Sequence, residues 1–281
     1  MKVQLVSPRD SGLATSAWTS LYDERLGVLR IDVEGKCVAE MFVYDVNKWG
    51  YQSLITPSFM PNTQLVRYSE VSINDLVEAI DAFCERGTWS YWKFDFPVGE
   101  EFAAGFPPTL LIHQKYTYRI SELNNWRAGA TSKLRNDINK MDRYTFEVSE
   151  SLPSHFDFFE RKLREVGLKE TQILRNSAES NGFYFVEERE GRFVACCLLQ
   201  GDTVYYLAAA NEKADRTVAT CGLAYCIDEA LRRGARIFDF EGSMIPGVEA
   251  YFKKFGGDRA YYLSFSRGRG WKYRLRKLLR K

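Results

Sequence analysis

The sequence predicts an α/β chain: two mixed β-sheets, each with helices packed on it, arising from an internal duplication. Three short segments recur in the same order. Glu34-Gly35-Lys36-Cys37-Val38-Ala39 returns as Glu190-Gly191-Arg192-Phe193-Val194-Ala195, 156 residues on. The pattern Ile-Asp, four residues, Arg-Gly runs from Ile80 to Gly87 and again, 147 residues later, from Ile227 to Gly234. Phe94-Asp95-Phe96 returns after 144 residues as Phe238-Asp239-Phe240. One such match arises by chance; three in one order at similar offsets mark a repeat.

The elements follow in order. In the first copy Val3–Val6 reads as a strand and Ser11–Leu21 as a helix. Leu29–Val33 and Cys37–Tyr44 are β-rich runs around a glycine turn, hence a hairpin, with a third strand at Tyr51–Ile55. An amphipathic helix containing Ile80 ends at Arg86 with Gly87 as its C′ residue, before a strand at Phe94–Phe96. The second copy repeats this: strand Thr145–Ser149, helix Phe156–Val166, hairpin Phe183–Glu188 with Phe193–Leu199, strand Val204–Ala209, a helix ending at Arg233-Gly234, and strand Phe238–Phe240. Each copy is β-α-β-β-β-α-β. A connector, Thr109–Arg143, carries a strand at Tyr116–Ile120 and a helix from Ser121 to Lys140. The predicted domains are 1–114, 115–266 and a tail, 267–281.

Composition narrows the chemistry. Of 281 residues, 45% are hydrophobic and 27% charged, which excludes wholesale disorder and fibrous classes. The 39 Lys and Arg nearly balance 37 Asp and Glu, but residues 267–281 hold eight basic side chains and no acid, so the body before them is acidic. No apolar run approaches the roughly 20 residues that span a bilayer. Met1–Pro8 reads as a strand ending at a proline, not a secretory signal, so a cytoplasmic protein is expected and Cys37, Cys84, Cys196, Cys197, Cys221 and Cys226 are expected to be reduced. With His113 and His155 as the two histidines, neither beside a Cys/His partner, no metal site or Ser-His-Asp triad is expected. GxxxxGK[ST] and GxGxxG are both absent, so no tightly bound cofactor is expected.

The order of elements is similar to the GNAT acyltransferase fold, and two such units in one chain resemble the FemABX peptidyltransferase family. Two stretches carry the resemblance. Tyr116–Leu123 followed by Arg135-Asn136-Asp137-Ile138-Asn139-Lys140 looks like that family's strand, turn and R-N-x-I-x-K helix. Asp239-Phe240-Glu241-Gly242-Ser243, then Gly247-Val248 and Phe252-Lys253-Lys254-Phe255-Gly256, looks like its D-F-x-G-S, G-[VI] and F-K-x-x-F-G ending. One residue, not two, separates Lys253 from Phe255-Gly256, so the family lysine is either Lys253 or Lys254.

The resemblance implies two tandem GNAT-like units and an N-acyl or aminoacyl transfer from an activated donor to an amine, of a cell-envelope precursor or another acceptor. Such chemistry asks for a base, donors for an oxyanion and positive charge for phosphates, which suits a chain poor in histidine. CoA-dependent members carry [RQ]-x-x-G-x-[GA] where the helix begins. Here Arg216 is in place, but Ala219 and Cys221 replace the glycines, ahead of Gly222, and Thr220 is β-branched. This tips the donor toward aminoacyl-tRNA, with acyl-CoA the alternative; Arg216, Thr220, Gly222, Gly242, Ser243, Gly247 and Lys254 are the candidate donor-binding residues.

Lys253 is the first catalytic candidate, as a cation for the oxyanion or donor, against a solvated surface lysine. Asp239 and Glu241 alternate on a strand and so share one face; Glu241 reads either as base for the acceptor amine or as a salt-bridge or capping residue. Arg135, Asn136 and Lys140 read as phosphate or acceptor contacts, or as a solvated helix face. In the tail, Trp271, Leu275, Leu278 and Leu279 form a helical stripe flanked by Lys272, Arg274, Arg276 and Lys277. The tail either meets an anionic membrane surface or RNA, placing the protein peripherally at the inner membrane face, or docks its stripe on the body. Two rival functions remain: a non-catalytic scaffold binding through its tail, and a CoA-dependent small-molecule N-acetyltransferase.

Overall fold

The computed structural model describes residues 1–48, 51–97, 109–241, 246–271, 273 and 278. Strands are β1 (Lys2–Val6), β2 (Leu26–Val33), β3 (Lys36–Lys48), β4 (Tyr51–Ile55), β5 (Val66–Arg67), β6 (Tyr91–Pro97), β7 (Leu111–Ile120), β8 (Phe146–Ser149), β9 (Phe183–Glu188), β10 (Phe193–Gln200), β11 (Thr203–Asn211), β12 (Ile237–Asp239) and β13 (Asp258–Gly268). Helices are α1 (Ile73–Arg86), α2 (Trp126–Gly129), α3 (Ser132–Ile138), α4 (Phe156–Glu165), α5 (Gln172–Asn176), α6 (Arg216–Arg232) and α7 (Pro246–Phe252).

The chain divides into two compact units: residues 1–115 with 261–281, and residues 116–260. In the first, the strands lie in the order β1-β2-β3-β4-β6-β13, with β5 on β3. The second repeats that order as β8-β9-β10-β11-β12-β7. In both, the first three pairings are antiparallel, the fourth (β4–β6, β11–β12) is parallel and the last antiparallel. The closing strands are exchanged in sequence. β7, which follows the first unit's β6, pairs with β12; β13, which follows β12, pairs with β6 from Tyr262–Pro97 to Gly268–Tyr91. Residues 261–266, expected with the second domain, and the start of the tail therefore belong to the first unit.

The helix of each repeat packs on its own sheet. α1 buries Leu76, Val77, Ile80 and Cys84 with Trp92, Phe94 and Phe96, and α6 buries Val218, Cys221, Ala224 and Ile227 with Phe193 and Phe238. The repeated Ile-Asp has one structural use in both units. Asp81 accepts the Trp92 indole N–H at 2.9 Å and pairs with Arg267 at 2.7 Å. Asp228 accepts the Trp126 indole N–H at 2.9 Å and pairs with Arg127 at 2.5 Å.

Three expectations need correction. Ser11–Leu21 is not a helix; 3₁₀ turns at Pro8–Asp10 and Ala17–Ser20 replace it, because Ser7 and Ser16 cap local amides and the Gly12 amide goes to the buried Glu40 carboxylate at 2.8 Å. The connector helix breaks at Ala130, whose ψ of 143° is extended. The break frees the Thr131 amide to donate to the Lys254 carbonyl at 2.9 Å. Gly234 is left-handed at φ 84°, as a C′ residue should be, but Gly87 has φ −76° and is small for another reason: a Cβ there would stand 2.3 Å from the Trp89 ring.

Candidate active site

In the second unit β11 and β12 pair at Thr203–Ile237, Val204–Phe238 and Tyr205–Asp239, then part. Beyond Asp239, the Phe240 amide turns to the Tyr118 carbonyl of β7 at 3.0 Å. Glu241 then takes a left-handed φ of 49°, a conformation disfavoured for a side chain with a Cβ, and its amide donates to Asp239 Oδ1 at 2.9 Å. β11 continues to Asn211, and among the described residues its edge from Tyr206 onward has no strand on that side. Among the described residues, the β11 edge from Tyr206 onward is therefore a break in the parallel pairing.

The side chains beside it are apolar and buried. Tyr206, Ala208 and Ala210 line the core face of β11. Phe240 stacks on Phe252 at 4.8 Å, and Phe252 meets Tyr206 edge-on at 6.4 Å. On the opposite face of β11, Tyr205 sits beside the Asp239–Arg119 pair; burial, then the Asp239 charge, pushes its hydroxyl up to about 12, so it stays a proton donor at neutral pH.

Asp239 and Glu241 do not share a face, contrary to the alternation expected, because Glu241 leaves the strand. Asp239 is fully buried. Its carboxylate accepts from Arg119 Nε at 2.5 Å, from Thr117 Oγ1 at 2.5 Å and from the Glu241 amide, which commits it to holding β12 on β7. Lys253 and Lys254 follow α7 in a 3₁₀ turn and are both exposed. Among the described residues neither ammonium has an ion-pair partner. Gly247, in the first turn of α7, faces open space. Gly242 and Ser243 lie outside the described residues.

The α6 start is capped by the chain itself. Helix begins at Arg216, so the Arg216–Gly222 stretch is already wound. Asp215 caps it, accepting from the Thr217 and Val218 amides at 2.9 and 3.1 Å, while the Tyr144 hydroxyl donates to the other oxygen at 2.9 Å. Burial opposes ionisation of Asp215, but Tyr144 and those amides hold its carboxyl below the usual range, so the helix end carries the chain's own negative charge. Thr220 donates to the Arg216 carbonyl, and a Cβ on Gly222 would meet the Phe193 ring at 2.5 Å; Gly222 makes room for packing. Arg216 is exposed.

The connector residues are also engaged. Arg135 donates to the Ala130 carbonyl at 2.7 Å, capping the broken helix, and Lys140 pairs with Asp137 at 2.8 Å; Asn136 is exposed. A cluster that sequence reasoning missed secures α7. Glu249 accepts from Tyr116 Oη at 2.8 Å, Tyr118 Oη at 3.0 Å and Arg259 Nη2 at 2.5 Å. Arg259, then the two tyrosines, hold the Glu249 carboxyl below the usual range. The Tyr-x-Tyr alternation on β7 placed two hydroxyls on one face; nothing in the sequence named their partner.

The first unit has the same parallel pair, from Ser53–Tyr91 to Ile55–Lys93, but the place beyond it is filled. Thr63, fully buried, donates its amide to the Asp95 carbonyl at 3.0 Å and accepts the Phe42 amide at 2.8 Å, bridging β6 and β3 where β4 ends. Thr56 Oγ1 takes the Asp95 amide at 2.9 Å. An open cleft of about 820 Å³ elsewhere in this unit, walled by Arg9, Tyr22, Asp23, Arg25 and Asn47, holds none of the expected site residues. Among the described residues no group of His, Cys, Asp or Glu is arranged to hold a metal ion, and no helix is long and apolar enough to cross a membrane. All six cysteines are free thiols.

These two units define a tandem GNAT-like fold. The structure is similar to that of FemX, with a TM-score of 0.60 and 11% identity over 100% of both chains. It is similar to L-PGS from Bacillus licheniformis, with a TM-score of 0.54 and 12% identity over 90% of this chain and 86% of that one. A tandem GNAT protein from the clavulanic acid biosynthesis pathway gives a TM-score of 0.50 and 10% identity over 87% and 83%. No protein-family model and no curated protein matches the sequence.

Proposed function

We propose that the chain is an acyl or aminoacyl transferase whose donor binds beside β11 of the second unit. The single observation that carries this is the contrast between the units, both built on the same strand order. In the first, backbone from the same chain fills the place beyond the parallel pair; in the second, no strand among the described residues pairs with β11 beyond Tyr205, beside the stacked Phe240 and Phe252. An acyl donor with amide-like groups can pair with that edge as Thr63 pairs with β6. The repeated order also supports descent by duplication, with one copy retaining the break.

The favoured donor is an aminoacyl-tRNA. CoA would place its pyrophosphate at the start of α6, where the Asp215 carboxylate already takes the amides an anion would need. The family resemblance points the same way. In the reaction the acceptor amine, on a cell-envelope precursor, attacks the ester carbonyl. The N–C bond forms, the ester C–O bond breaks, and the amine's proton passes to the ribose oxygen. Glu241 takes the first proton from the ammonium, Tyr205 relays the second from the attacking nitrogen to the leaving ribose oxygen and so ends protonated, and Lys253, with Lys254 beside it, stabilises the oxyanion. Arg119, Asp239 and Glu249 hold β12, β7 and α7 in place.

The test is to mix the full chain with charged tRNAs and with acyl-CoAs, measuring binding and transfer to amine-bearing precursors. Binding and turnover with charged tRNA are expected. Binding of CoA alone would replace the donor assignment, and no binding of either class would overturn the transferase reading.

A further inference from the structure

Lys253 and Lys254 expose their side chains, yet the backbone of the turn that carries them is clamped from within the second unit. The Thr131 amide, released by the break between α2 and α3, donates to the Lys254 carbonyl at 2.9 Å. Phe255 is fully buried; its ring stacks on Trp126 with centroids 6.2 Å apart and planes 24° apart, and it meets Tyr251 edge-on at 5.3 Å. Trp126 is itself fixed, its indole N–H donating to Asp228 on α6 at 2.9 Å. Gly256, left-handed at φ 86°, lies backbone to backbone against Gly129 at the end of α2. A Cβ on Gly256 would stand 2.6 Å from the Gly129 carbonyl carbon, and one on Gly129 would stand 3.3 Å from Gly256 Cα. Gly257 then rests on the Arg119 carbonyl of β7, where a Cβ would stand at 3.1 Å, and Arg119 is the residue that latches Asp239 at the end of β12.

A solvated lysine in a surface turn asks for none of this. Two side chains that bind nothing in the protein, on a backbone held by a hydrogen bond, a buried ring and two glycine contacts, have the form of a group that is presented. We propose that Trp126–Thr131 is a positioning element for transfer: Gly129 and the Thr131 amide fix where the lysine turn stands relative to the end of β12, without touching donor or acceptor. The inference rests on the transferase reading and adds to it a use for the break in the connector helix. Rate is steep in such placement, because a catalytic group displaced by about 1 Å loses on the order of 10²-fold. Asp228, from the repeated Ile-Asp pair, reaches the same turn through Trp126 and Phe255, whereas its counterpart Asp81 holds Trp92 on β6.

Gly129→Ala is the first test, read on the full chain with charged tRNA and an amine-bearing acceptor. A helix end accepts alanine, so the melting temperature should stay near wild type, while the added methyl presses on Gly256. Turnover is expected to fall about five- to tenfold with KM for the donor within about twofold. In the Lys253→Ala/Lys254→Ala background the same substitution should change kcat by less than about twofold, because the group it displaces is gone. Thr131→Pro is the second test. Ala130 at ψ 143° and Thr131 at φ −64° admit proline, so this variant removes the amide that holds Lys254 and keeps the local backbone. It should lower kcat in the same way, whereas Thr131→Ala, which keeps the amide, should not. An active wild type with either Gly129→Ala or Thr131→Pro unimpaired overturns the inference and leaves the transferase reading standing. So does a Gly129→Ala loss that persists undiminished without the two lysines. A wild-type chain that turns over no donor overturns both.

Discussion

Two residues of the second unit separate chemistry from architecture. Lys253 is exposed at the end of α7, and its side chain holds nothing in place among the described residues. Replacing it by alanine is expected to leave stability within about 0.5 kcal/mol, leave donor binding near wild type and lower turnover by about 10²–10³-fold, the usual loss when an oxyanion donor is removed. Lys254→Ala, assayed beside it, decides which lysine takes the family position. Asp239 is the opposite case. Its carboxylate is buried and its cation, Arg119, is partly exposed, so Arg119→Ala strands a charge inside the sheet. A loss of about 3 kcal/mol in chemical denaturation is expected, and Arg119→Lys, without the planar fork, should recover part of it. The Asp-Phe-Glu motif was legible in the sequence, but the latch was not, because Arg119 stands 120 residues from Asp239 and hydrogen-bond partners at that separation leave no local pattern.

At the scale of elements, local chemistry was legible and partner choice was not. The glycine hairpins, the parallel strands and α1 and α6 were readable because each is signalled by its own turn, period or cap. The failures have local competitors or distant partners: serine caps replace a helix at Ser11–Leu21, and the Lys254 carbonyl rewards a break at Ala130-Thr131. The start of α6 shows the same tension. Its residues resembled a degraded phosphate loop, yet Asp215, one residue earlier, decides its character. Because Asp215 is held below the ordinary carboxylate range in the folded protein, its stabilisation is complete above that ordinary value, near about 3.9, and fades as pH falls through the lower folded value. Asp215→Ala is expected to cost about 1 kcal/mol at neutral pH and to flatten the acid side of a stability-against-pH curve. Asp215→Asn keeps the cap, so it should flatten the curve with a smaller loss at neutral pH. An acid limb identical to wild type in both variants would contradict the assignment.

At the scale of the whole molecule, the exchange of closing strands ties the first unit to chain from the far end of the sequence, while the second is one continuous stretch. The first unit receives β13 as its sixth strand, and with it Leu263 and Phe265, which are buried in its core against Phe94 and Phe96. It also receives Arg267 and Arg269, which grip α1. A chain ending at residue 260 loses all of these and leaves β6 with a bare edge and an open apolar face, which predisposes it to aggregation. Ending the chain at residue 269 instead keeps β13 and both arginines, and removes only residues 270–281. The 1–269 chain is therefore expected to melt cooperatively near the wild-type temperature, while the 1–260 chain should lose the first unit's transition or aggregate. The second unit keeps its six strands within 116–260, so it should still melt in a chain beginning at residue 111, the start of β7. Calorimetry on the three chains checks this, and a 1–260 chain that melts like wild type would mean that β13 is dispensable to the first unit. Residues 1–114 expressed alone should likewise fail to fold, although they hold every element of the first repeat, because the strand that closes their sheet lies in the last 24 residues of the sequence.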